Sequence, residues 1–124
     1  MSKNILIIDD SATIRQVVGI TLRGAGYNVV EAEDGVDALK KLDGEKFNLI
    51  VCDVNMPNMD GITFVSTLKN DEAYAHARFT PVIMLTTESD ENKRMAGQQA
   101  GAKAWLVKPF LPDKLLAAVE KLIQ

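Results

Sequence analysis

The chain has 124 residues, 47% of them hydrophobic and 25% charged, which fits one ordinary globular domain spanning 1–124 and leaves no room for a separate output domain. Its formal charge of −3 argues against nucleic acid as a direct partner, and no DNA-binding helix-turn-helix follows the last predicted helix. With no basic leader before an apolar stretch and no apolar run long enough to span a membrane, the chain is expected in the cytoplasm, without membrane contact.

In chain order, residues 4–8 form the first predicted strand, which runs into Asp9 and Asp10. A helix over about 12–23 follows, with Ser11 as N-cap and Ile14, Val17, Val18, Leu22 and Ala25 at three-and-four spacing. Gly24 and Gly26 end it, and Asn28–Ala32 is the second strand. Asp34 caps a second helix whose inward stripe is Val36, Leu39 and Leu42, closed by Gly44. The third strand, 48–52, runs into Asp53, and 55–61 (Asn-Met-Pro-Asn-Met-Asp-Gly) is dense in turn formers. Phe64, Val65 and Leu68 mark the third helix, while the polar segment 70–80 reads as an extra helical turn or a loop.

Pro81 introduces the fourth strand, 82–85, which ends at Thr86. Residues 90–100 form a helix with a thin apolar stripe (Met95, Ala96, Ala100), ended by Gly101. The fifth strand, 103–107, runs into Lys108, and a last helix from Pro112 buries Leu115, Val119, Leu122 and Ile123. Cys52, the sole cysteine, lies in a strand and reads as a packed core residue. His76 lies in the polar segment and receives no ligand role. Because Pro109 follows Lys108, that residue is held extended and a cis bond is conceivable, with trans the statistical default.

Short Val/Ile/Leu-rich runs alternating with helical segments predict an α/β fold, a doubly wound sheet of five buried parallel strands. In such sheets the ligand crevice lies outside the carboxyl ends of the strands. Taken singly, Asp9-Asp10 is an acidic helix start, Thr86 a strand-end cap and Lys108 a surface lysine. At four strand ends together they make a crevice of three carboxylates, a hydroxyl and an ammonium. Crowded carboxylates need protons or a cation, and hard oxygen donors in an open crevice suit Mg²⁺. A carboxylate beside Mg²⁺ can attack phosphorus, and Asp53, at the centre, suits that role, with Lys108 and Thr86 holding phosphoryl oxygens.

These residues resemble the receiver domains of two-component response regulators, in particular their single-domain chemotaxis type. The likeness covers the whole chain through Ile8-Asp9-Asp10-Ser11, the stretch from Asp53 to Gly61, Thr86 and Lys108-Pro109-Phe110. It implies a flavodoxin-like (βα)5 fold with strand order 2-1-3-4-5. It also implies a phosphorylation-dependent signalling switch in which Asp53 accepts a phosphoryl group from a histidine kinase (CheA-like) or a small donor. Mg²⁺ would be held by Asp10 and Asp53, by the backbone carbonyl of Asn55, and by Asp9 largely through water. Trp105 stands at the family's switch aromatic, where tyrosine or phenylalanine is usual, and Thr87 where a smaller residue is usual. Asn55 and Glu88 would tune self-dephosphorylation.

The output surface implied is the fourth helix, fifth strand and fifth helix, presented to a protein target such as a flagellar motor switch protein, with a phosphatase as a further partner. A phosphorelay intermediate or phosphate sink is the alternative within the family. Outside it stands a Mg²⁺-dependent aspartyl-phosphate phosphatase, which needs an acid–base aspartate where Asn55 stands and a cap over the site. The chain is therefore expected not to be an enzyme beyond its own phosphorylation and dephosphorylation.

Overall fold

The computed structural model of the chain describes residues 2–86 and 91–123, with the backbone alone for 91–94. Five parallel strands, β1 (Asn4–Ile8), β2 (Asn28–Ala32), β3 (Leu49–Asp53), β4 (Val82–Thr86) and β5 (Ala104–Val107), lie in the order β2-β1-β3-β4-β5. Between and after them run α1 (Ala12–Gly24), α2 (Gly35–Gly44), α3 (Gly61–Asn70), α4 (Glu91–Ala100) and α5 (Pro112–Leu122). This is the predicted doubly wound, flavodoxin-like architecture.

The period of two along a strand divides the core in two. Leu6, Ile8, Ile50, Cys52, Val82 and Met84 face one side, where they meet Ala38 and Leu42 of α2 and Phe64, Val65 and Leu68 of α3. Ile5, Ile7, Leu49, Val51, Ile83 and Leu85 face the other, against Val18 and Leu22 of α1 and Leu115 and Val119 of α5. Every one of these side chains is at most 1% exposed, so β1, β3 and β4 read as unbroken apolar runs rather than alternating ones.

Some predicted details shift. Val36 is 41% exposed, and Ala38 takes its inward place on α2, one turn before the buried Leu42 on the face that meets the sheet. Val17 on α1 and Met95 on α4 also face outward. The segment 70–80 contains a 3₁₀ helix at Glu72–Ala77, capped by Asp71, and His76 Nε2 lies 2.9 Å from the Leu42 carbonyl oxygen. The Lys108–Pro109 bond is cis, against the trans default.

Two glycines are fixed by close approach. A Cβ on Gly61 would run into the backbone carbonyl oxygen of Asp53, which cannot swing aside as a side chain would. A Cβ on Gly97, inside α4, would lie 2.6 Å from Cζ3 of Trp105. Substituting Gly61→Ala is therefore expected to destabilise the fold by about 1–3 kcal/mol. Chemical denaturation checks this; an unchanged midpoint would mean the carbonyl yields freely.

Candidate functional site

Strand register assembles the site. Ile8 pairs with Cys52, so Asp9 and Asp53 leave the sheet side by side at the ends of β1 and β3. Asp53 pairs with Leu85, and Thr86 with Val107, which places Thr86 and Lys108 on the other flank. The Lys108 N–H donates to the Thr86 carbonyl at 2.6 Å, fastening the end of β5 to that of β4.

The Lys108 ammonium lies 2.9 Å from Asp9 Oδ2 and 3.2 Å from Asp53 Oδ1. Asp9 and Asp53 are buried and Asp10 is exposed; one oxygen of each lies within 4.8 Å of the others, as donors sharing one cation must. The other oxygen of Asp9 accepts from the Ser11 N–H at 2.9 Å, so both its oxygens are engaged. With Asn55, Ile14 and Pro109, these residues line a crevice of about 470 Å³. An all-oxygen donor set, open to solvent on the Asp10 side, fits a hard divalent cation such as Mg²⁺, which retains waters and accepts phosphate oxygens.

Burial, and then the charge of Asp9, push the Asp53 carboxyl up to about 6, although the Lys108 ammonium and the Asn55 N–H favour its charged form. Burial works against the Lys108 charge, but its hydrogen bond to Asp9 and the charges of Asp9 and Asp53 prevail and hold its pKa above the usual lysine value. Burial of Cys52 raises its thiol well above the ordinary range, which suits a packing role.

The loop from β3 to α3 is tied down on one side. Asn58, with φ 68°, donates through Nδ2 to Asp34 Oδ2 at 2.9 Å, while Asp34 Oδ1 accepts from the Asp37 N–H at 2.8 Å as the cap of α2. These two hydrogen bonds lower the pKa of Asp34. Next to this pair Met59 packs directly on Gly35. Sequence reading missed the tether; its traces were the Asn58 within a turn and a capping aspartate with a spare oxygen.

The predicted Asp9, Asp10, Asp53, Asn55 and Lys108 thus converge. Thr86 is fully buried at the end of β4, and Trp105 is half-buried in β5 against α4. Met84 pairs with Trp105, so by the strand pleat Thr86 and Trp105 share one face of the sheet. Glu88 and Thr87 lie outside the described residues. Arg15, not singled out from sequence, donates to the Asp9 carbonyl and pairs with Glu31 at 3.2 Å, fixing the first turn of α1 beside the crevice.

Residues 5–120 match the family profile of the response regulator receiver domain. The chain is 36% identical over 124 residues to the alkaline phosphatase synthesis transcriptional regulatory protein PhoP of Bacillus subtilis, covering all of this chain but 50% of that relative. It is 37% identical over 121 residues to chemotaxis protein CheY of Pseudomonas aeruginosa, covering 97% of this chain and 95% of that one. Among solved structures, Vibrio cholerae chemotaxis protein CheY4 superposes with TM-score 0.92 at 42% identity, over 99% of this chain and 100% of that one. The receiver domain of sensor histidine kinase PA1611 from Pseudomonas aeruginosa has TM-score 0.88 at 26% identity, over 98% of each chain, and holds a magnesium ion in its active site cleft. No helix among the described residues is long and apolar enough to cross a membrane.

Because Asp53 takes up a proton more readily folded than unfolded, its own contribution to the stability of the metal-free fold falls as pH rises from about 4 through 6. Relative to an Asp53→Asn variant in chelator, the wild type is expected to lose on the order of 2 kcal/mol between pH 4 and 7.5. Urea unfolding across that range checks it; a pH-independent gap between the two proteins contradicts the burial argument.

Proposed function

Since the chain belongs to the response regulator receiver family, we propose that it is a phosphorylation-dependent switch of a two-component system, with Asp53 as phosphoacceptor and Mg²⁺ as cofactor. One observation carries this reading. The Lys108 ammonium bridges Asp9 and Asp53, and Asp10 lies close enough to share an ion with both.

Asp10, Asp53 and the Asn55 carbonyl would hold Mg²⁺ directly. Asp9, with both oxygens already engaged, would act through water. The ion, when bound, offsets negative charge on the phosphoryl oxygens. A phosphohistidine of a CheA-like kinase, or acetyl phosphate, presents its phosphorus at the crevice mouth. An Asp53 carboxylate oxygen attacks; the P–O bond forms as the bond to the imidazole nitrogen, or to the acetate oxygen, breaks with its electron pair. Lys108 then pairs with a phosphoryl oxygen and the Thr86 hydroxyl donates to another. Water later attacks the same phosphorus, at a rate that Asn55 and Glu88 would tune, returning inorganic phosphate and the free carboxylate.

Thr86 turning toward the phosphoryl group would free space on the sheet face it shares with Trp105. The indole would move into that space and change its contact with α4 at Gly97. Apolar side chains wait on that side: Met95 of α4 is 53% exposed, Val107 of β5 43% and Leu111 66%. We assign the output surface to α4, β5 and α5. The likeness to two chemotaxis proteins over nearly their whole length favours a chemotaxis role, with a flagellar motor switch protein as target.

Asp53→Asn is expected to abolish Mg²⁺-dependent labelling by radiolabelled acetyl phosphate, and undiminished labelling would refute the assignment. Trp105 emission should change when Mg²⁺ and acetyl phosphate are added together and stay constant in the Asp53→Asn protein. An emission indifferent to both additions removes the tryptophan from the switch.

A further inference from the structure

At the end of the sheet opposite the carboxylates, Phe79 precedes β4 and is 82% exposed, more than any other large hydrophobic side chain among the described residues. It stands between two clefts of about 350 and 370 Å³ and lines both. Lys69, Arg78 and Lys103 line the first and Lys46 and His76 the second, with no carboxylate side chain among the described residues lining either.

These cations differ in how far they are committed. Lys69 Nζ donates to the carbonyls of Arg78 and Thr80 at 2.6 and 2.9 Å and so serves the fold. Arg78 is under-used: its Nη2 reaches Glu72 only at 3.5 Å, and its buried Nε has no acceptor. The Arg78 side chain as a whole is 34% exposed, which leaves it open to a partner's carboxylate, a charge-assisted pairing that arginine favours. An exposed aromatic beside an arginine is also the composition of interface anchor points.

We propose that this face docks an acidic segment of a protein partner, with a carboxylate at Arg78, another at Lys103 and an apolar side chain against the Phe79 ring. Charge complementarity selects that occupant. The chain carries −3 overall, and its clustered aspartates sit at the far end of the strands, so an acidic segment meets less repulsion here than at that end.

Panning a random dodecapeptide library on the wild type, with counter-selection on a Phe79→Ser, Arg78→Gln protein, is expected to enrich acidic peptides bearing one large apolar residue. The enriched peptide should shift amides of 76–80 and 101–103, weaken as salt is raised, and lose about tenfold in affinity with either single substitution. Both variants should keep wild-type labelling from acetyl phosphate, which verifies their fold. A basic or neutral consensus, amide shifts on another face, or affinity indifferent to both substitutions overturns the proposal. So does a Phe79-dependent dimer of the chain alone in sedimentation, which assigns the face to self-association. The same amide shifts from inorganic phosphate alone overturn it too, reducing the face to a simple anion site.

Discussion

Three carboxylates are brought together by a sheet register that offers them no other place to go. Once Ile8 lies opposite Cys52, Asp9 and Asp53 must leave the strands as neighbours, and both are buried. Two adjacent carboxylates out of water are costly unless a counter-charge stands within hydrogen-bond reach. Lys108, ninety-nine residues along the chain from Asp9, supplies it at rest. Much of the surrounding structure serves that arrangement. The bond from Lys108 N to the Thr86 carbonyl, the absence of a side chain at Gly61 and the Arg15 bond to the Asp9 carbonyl all hold the ends of the strands in position.

The same crowding gives the proposed switch its direction. In that proposal the added charge would land where like charge is already in excess, and the groups placed to respond would be the lysine, a bound cation and a hydroxyl buried at the end of β4. That hydroxyl shares a sheet face with an indole pressed against the one buried side chain position, Gly97, among those described on α4. Among the described side chains of α4 apolar contact is this slight, and a helix so held shifts at small cost in free energy.

How much could be read from the chain alone depended on which interactions set each feature. The strands were legible because β1, β3 and β4 are buried on both faces, which leaves unbroken Val, Ile and Leu runs with polar residues at their ends. The site was legible for the same reason, since five of its residues mark strand ends or the turns just after. Helix faces were less so. Val36 and Ala38 are both acceptable inward residues, and only the packing of α2 against the sheet decides between them. The cis bond before Pro109, the Asp34–Asn58 contact and the reach of Arg15 are tertiary choices among local options of similar energy, and no periodicity records them.

The Asp34–Asn58 contact has a mechanical corollary. One carboxylate begins a helix with one oxygen and anchors the loop after β3 with the other, while Met59 wedges against the adjacent glycine. The flank of the crevice toward β2 is thus braced like a buttress, whereas the flank toward β5 adjoins a helix on which, among the described side chains, only position 97 is buried. Under the proposed switch, displacement set off at the carboxylates would be resisted toward β2 and pass toward β5.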